Sequence, residues 1–137
     1  MHNDRKHGYF VTISSFSHAP FCCVLADAKA VVTYLRHIAT QFRLKNGYHI
    51  PVHVLASRMA ERNQQHTQYA YLRMMCVVVT LVGIDEEKGP QVFKIDPAGS
   101  CYGYHACASG SKEQEAVNAL EKQHKKKDGK FTTDEAI

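Results

Sequence analysis

Six residues in succession, Val77-Val78-Val79-Thr80-Leu81-Val82, are aliphatic or β-branched, and the run ends on Gly83. A run this short and this apolar reads as a strand, and the absence of alternation means that both of its faces are covered. It therefore calls for a layered fold built around a sheet. Asp85 to Pro90 is charged and is closed by Gly89-Pro90, a turn signal. Gln91 to Asp96 alternates, with Phe93 and Ile95 on one face and Val92, Lys94 and Asp96 on the other. Pro97-Ala98-Gly99 makes a second turn, and Cys101 to Cys107 reads as a further strand. The central third of the chain is thus an antiparallel meander.

Upstream, Tyr9 to Ile13 and Phe21 to Ala26 read as two strands separated by Ser14 to Pro20. Asp27 stands where a helix N-cap belongs, and Ala28, Val31, Leu35, Ile38 and Phe42 follow as an apolar stripe at helical spacing. Asn46-Gly47 ends that helix. Pro51 opens a second helix from its first turn, with Val52, Leu55 and Met59 inward and the polar stretch Glu61 to Gln68 finishing it. A third helix begins near Ser111, which forms a capping box with Gln114 and turns Ala116, Val117 and Leu120 inward. The expected order is two strands, two helices, three strands and a helix, an α+β arrangement in a single domain spanning 1–137. Thr132-Thr133-Asp134-Glu135 is another capping box, yet the chain stops at Ile137. A helix of barely one turn does not repay its nucleation cost, so both ends read as cut from something longer.

Several function classes are disfavoured by the residues. The formal charge is +4, much of it from Lys122, Lys125, Lys126, Lys127 and Lys130, and such a cluster reads as a solvated helix end rather than a nucleic-acid surface. The longest apolar run, Met74 to Val82, is too short to span a bilayer, and no apolar signal segment follows Met1 to Lys6. The five cysteines, Cys22, Cys23, Cys76, Cys101 and Cys107, are odd in number and lie in apolar runs, which suits buried reduced thiols. His49 and His53 are four apart, but Pro51 lies between them and no acidic residue or cysteine stands beside them in sequence, so no metal site is expected. Ser14, Ser15 and Ser17 lie near His18 without a nucleophile-elbow pattern, and there is no glycine-rich phosphate loop. No catalytic residue, cofactor or metal is expected.

The wording of the meander, Gly83-Ile84-Asp85-Glu86-Glu87-Lys88-Gly89-Pro90-Gln91-Val92-Phe93-Lys94-Ile95-Asp96-Pro97-Ala98-Gly99, closely resembles an alpha-type subunit of the 20S proteasome, nearest to its alpha-type-six branch. The likeness extends from about Tyr9 to Ile137. Ala26-Asp27 resembles the pair at the head of the family's first helix, and Gly47-Tyr48-His49-Ile50-Pro51-Val52 resembles the entry to its second. His66-Thr67-Gln68 matches a Tyr-Thr-Gln, and Arg73 matches the arginine that follows. Gly110 to Glu121 and Lys125-Lys126-Lys127 match the third helix and its lysine-rich exit. Where the family reads Arg-Pro-x-Gly, this chain has Arg73-Met74-Met75-Cys76.

The resemblance implies the N-terminal-nucleophile hydrolase fold, here an incomplete four-layer αββα sandwich, as one partial alpha-subunit domain truncated at both ends. It implies a non-catalytic, structural role in the seven-membered alpha ring of the proteasome core, in ubiquitin-dependent protein degradation. The partners would be other alpha subunits and beta subunits, with no nucleic acid and no membrane, in cytoplasm and nucleus. The expected neighbour contacts are Gln64, Gln65, Thr67, Gln68, Tyr69, Tyr71 and Arg73, whose polar and aromatic content exceeds what a core needs. The alternatives are a fragment of an N-terminal-nucleophile amidohydrolase or peptidase, and a non-functional shortened copy.

Overall fold

The strand formed by the apolar run, β2 (Val77–Asp85), lies between two others in the sheet. It pairs antiparallel with β1 (Phe10–Ser15) on one side and with β3 (Gly89–Ile95) on the other, and β3 pairs with β4 (Cys101–Tyr104). Two helices intervene between β1 and β2, α1 (Phe21–Asn46) and α2 (Val52–Gln68). A third, α3 (Glu113–Lys127), follows β4. These elements come from a computed structural model that describes residues 9–15, 21–85, 87–110 and 112–127. Residues 1–105 and 106–137 form two compact units, and α3 belongs to the second.

Register decides which residues meet. Val79 faces Ile95 and Leu81 faces Phe93, so strand alternation puts Val77, Val79 and Leu81 on the face shared with Phe93 and Ile95. That face receives the helices. Val31, Leu35 and Ile38 of α1 and Val52, Leu55, Ala56, Met59 and Ala60 of α2 are buried in one cluster with Val77, Val79, Leu81 and Ile95. Each large side chain buried there contributes about 2 kcal/mol of transfer free energy, enough to set the helices on the sheet without any polar contact. The opposite face carries Thr12, Val78, Thr80, Val82, Ile84, Val92, Lys94, Tyr102 and Tyr104. Val78 and Thr80 are buried, as the unalternating run requires, whereas Ile84, Tyr102 and Tyr104 are exposed.

Five local expectations change. Phe21 to Ala26 is the first part of α1, not a strand. A short apolar run does not distinguish the two by periodicity, and here Leu25 and Ala26 are exposed while Val24 packs partly on the core. Asp27 consequently sits inside the helix, not at its cap. Gly89-Pro90 lies within β3, opposite Asp85 and Ile84, so the pairing runs on through the residues expected to form the turn. The strand expected over Cys101 to Cys107 ends at Tyr104. Pro51 stands one position earlier than expected, at the N-cap of α2, where its carbonyl accepts the amides of Val54 and Leu55.

Among the described residues of the second unit, α3 is the regular element. Its first turn carries Glu113 and Glu115, favourable at a helix N-terminus, and Ala116, Val117 and Leu120 are half-buried. Gln114 donates to Asn118 Oδ1 at 3.3 Å. Ser111, and the capping box at Thr132 to Glu135, lie outside the described residues.

Candidate functional site

The last turns of α2 read Gln64-Gln65-His66-Thr67-Gln68, and the chain leaves them as Tyr69-Ala70-Tyr71-Leu72-Arg73. Helix ends leave carbonyls without partners, and local bonds cover the end of this one. The Thr67 hydroxyl donates to the Gln64 carbonyl at 2.6 Å, and the Tyr69 amide donates to the Gln65 carbonyl at 3.2 Å. A bond from the Leu72 amide to the Tyr69 carbonyl, 3.0 Å, then closes a tight turn. The chain folds back far enough to place the Arg73 carbonyl 3.2 Å from His66 Nδ1. The rings of Tyr69 and Tyr71 stand on this turn with centroids 5.5 Å apart. They are 50% and 81% exposed. Gln64, Gln65, Thr67, Gln68 and Arg73 are exposed as well, so all seven residues expected at an interface reach the surface of one continuous segment.

One of the seven also faces inward. The Arg73 guanidinium forms a fork on Asp27, with Nη2 to Oδ1 at 2.7 Å and Nη1 to Oδ2 at 2.8 Å. The Asp27 side chain is 6% exposed, that of Arg73 59%. Asp27 Oδ2 accepts a third bond from the Cys76 amide at 2.9 Å, and Nη1 also reaches the Met74 carbonyl at 3.3 Å. Asp27 and Cys76 were not anticipated as a pair with Arg73. An acid just before an apolar stripe signals a cap, and 46 residues separate it from the arginine. No Pro lies between Arg73 and Cys76, so hydrogen bonds to Asp27 and the burial of Met75, rather than a fixed φ, set the path of this stretch.

The Arg73 hydrogen bonds hold the Asp27 carboxyl below its ordinary value of 3.8, against the opposing effect of burial; the Cys76 amide and the charges of Arg73 and His66 act in the same direction as the bonds. A carboxyl whose folded value is depressed adds stability above its unfolded value and loses it as pH falls through the folded one. The stability from Asp27 is therefore whole above about pH 4 and declines below it. Urea midpoints measured from pH 6 to pH 2.5 are expected to fall more steeply for the wild type than for Asp27→Asn below pH 4.

The other chemistry-bearing residues are placed as follows. His53 Nδ1 lies 3.8 Å from Asp85 Oδ2, so the fold brings a carboxylate to a histidine that has none beside it in sequence. His49, His53, Asp85 and Glu87 line the same cleft with Tyr9, whose hydroxyl donates to the Ile50 carbonyl. Burial and the Asp85 charge push the Tyr9 hydroxyl up. Among the described residues no group of three or more His, Cys, Asp or Glu is arranged to hold a metal ion. Cys76, Cys101 and Cys107 are free thiols, and burial pushes Cys101 up, away from the thiolate a nucleophile needs. The backbone at Cys22-Cys23 is helical, so these two do not alternate across a strand. Ser17 and His18 lie outside the described residues. No described helix is long and apolar enough to cross a membrane.

A family model described as "Proteasome subunit" matches residues 13–137. The chain is 49% identical over 102 residues to a protein named probable proteasome subunit alpha type-1 of Schizosaccharomyces pombe, covering 74% of this chain and 42% of that one. Against proteasome subunit alpha type-6 of Caenorhabditis elegans it is 36% identical over 129 residues, 92% of this chain and 52% of the relative. Against proteasome subunit alpha type-3 of Dictyostelium discoideum it is 40% identical over 98 residues, 72% and 39%. The chain spans about half the length, or less, of these curated relatives. They share the alpha class and differ in type number.

Proposed function

The chain belongs to the proteasome subunit family, its curated relatives being alpha-type, and from that premise we propose that it is a non-catalytic, structural subunit of the alpha ring of the proteasome core. Its partners are other alpha subunits of the seven-membered ring and the beta subunits beneath them, its process is ubiquitin-dependent protein degradation, and its compartments are cytoplasm and nucleus. The observation that carries this reading onto particular residues is the tyrosine turn. Two aromatic rings stand exposed on a segment bound to the helix layer, with Gln64, Gln65, Thr67, Gln68 and Arg73 around them. Tyrosine among adaptable polar side chains is the composition enriched at protein interfaces.

The same reading gives a role to the sheet face turned away from the helices. Val82, Ile84, Val92, Tyr102 and Tyr104 form an apolar and aromatic surface there, too rich for a face meant for water. We propose that a second antiparallel sheet covers it, which would make α1 and α2 one outer layer of a four-layer αββα sandwich. Residues 1–105 and 106–137 would then be parts of one partial alpha-subunit domain.

The test is association. A tagged full chain is mixed with separately purified alpha-type proteasome subunits and examined by native mass spectrometry. Assembly with at least one of them is expected, and the Tyr69→Ala/Tyr71→Ala variant is expected to bind about 30-fold more weakly, the loss of one interface hot spot of about 2 kcal/mol. Absence of any complex, or full binding by the double variant, overturns the assignment of these residues.

A further inference from the structure

Asp27 is too deeply buried to touch a partner, yet its bonds to Arg73 and Cys76 lead to the exposed turn. Its two oxygens take both arms of Arg73 and the amide of Cys76, and so hold both ends of a four-residue stretch to α1. Arg73 is also the residue whose carbonyl lies beside His66, at the end of α2. The tyrosine turn between them spans Tyr69 to Leu72. It is therefore bounded on one side by α2 and on the other by a carboxylate seated in α1. Met75 is buried in the core and Cys76 leads into β2, but no Pro fixes the backbone at Arg73 and the exposed Met74, so the Asp27 fork is what directs the Arg73 end of the turn.

We propose that Asp27 is a positioning residue for partner binding: from inside the fold it holds the Tyr69–Arg73 segment in its docking conformation through Arg73 and Cys76. The proposal rests on the reading of that segment as a subunit interface. A preorganised loop binds more tightly because the ordering entropy has been spent before the partner arrives. Charge-assisted, bidentate bonds suit the task, since they fix direction as well as distance. The surface of the loop then supplies the contacts with a neighbouring alpha-type subunit, and Asp27 supplies their geometry.

The experiment combines amide hydrogen exchange with a binding titration on the full chain, using immobilised alpha-type proteasome subunits. In Asp27→Asn the Cys76 amide is expected to exchange about tenfold faster or more while the amides of β2 keep their protection, which separates a local release from general loosening. Binding is expected to weaken about tenfold in the same variant. Tyr71→Ala is expected to weaken binding and leave Cys76 protection unchanged. If Asp27→Asn frees the Cys76 amide and binding stays intact, or if protection at Cys76 does not change, the proposal is overturned. If the wild type binds no alpha-type subunit, the interface reading falls instead, and with it the partner-binding role of Asp27. Should Asp27→Asn not fold, Asp27→Glu, which keeps the charge but displaces the buried carboxylate from the fork and leaves every surface residue unchanged, carries the same two measurements.

Discussion

Gly99→Ala is expected to lower the thermal midpoint by about 10 °C. Two costs combine at this position. Gly99 has φ of +93°, in the left-handed region where a side chain costs about 1–2 kcal/mol. A Cβ there would also lie 2.8 Å from the Gln64 Cβ, 2.9 Å from the Ala60 carbonyl oxygen and 3.0 Å from the Gln64 amide nitrogen. None of these atoms is the free end of a flexible side chain, so α2 itself must shift, at about 1–3 kcal/mol. The turn is tied to the same helix by a buried polar contact, because Asn63 Nδ2 donates to the Asp96 carbonyl at 2.9 Å. Gly89→Ala provides the control. Its φ is +72°, but nothing lies within 4 Å of the added methyl, so only the backbone cost of about 1 kcal/mol applies. Circular dichroism melts of the two variants side by side decide the matter, and equal midpoints would show that the contact of the turn with α2 is not as described.

Arg73→Ala is expected to destabilise by about 3 kcal/mol, more than the loss of a surface ion pair, which is worth about 1 kcal/mol or less. The asymmetry lies in the burial of the partner. Removing the arginine strands a carboxylate that is 6% exposed and leaves it the hydrogen bond from the Cys76 amide. The acid dependence should change with it. Without the Arg73 bonds and charge the largest lowering cause is lost, and burial opposes what the Cys76 amide and His66 still contribute, so the folded value of Asp27 moves up toward its ordinary one. A smaller depression leaves less stability to lose on protonation, so this part of the acid-induced loss should shrink in the variant. Urea unfolding at pH 7 and pH 3 tests both statements. A wild-type urea midpoint at pH 7 would remove the fork from the account of stability.

How much of this was legible in advance depended on the range of the interaction. The stripe Val31, Leu35, Ile38 predicted a buried helix face because its 3.6-residue period is written in near neighbours, and those three side chains are buried. The unalternating run Val77 to Val82 predicted cover on both faces, and Val78 and Thr80 are buried on the face away from the helices. Phe21 to Ala26 went the other way for the same reason. Six apolar residues without a period carry no local signal to separate strand from helix. The seven surface residues from Gln64 to Arg73 stood out through composition, and all are exposed, but composition did not reveal that Arg73 is also an anchor.

The sequence by itself determined the family, the central meander, the inward faces of the helices and the exposed segment after α2. These depend on periodicity, on turn residues and on wording that survives without coordinates. Only the tertiary structure decided that Asp27 serves Arg73 and Cys76 rather than a helix cap, that Asn63 holds the Asp96 turn, and that Asp85 comes to His53. Those partners are 32 to 49 residues apart, and their distances are fixed by how two helices lie across a sheet. Local patterns place a side chain on a face; which polar group waits on the opposite element is settled when the apolar faces close, because a buried polar group without a partner is too costly to keep.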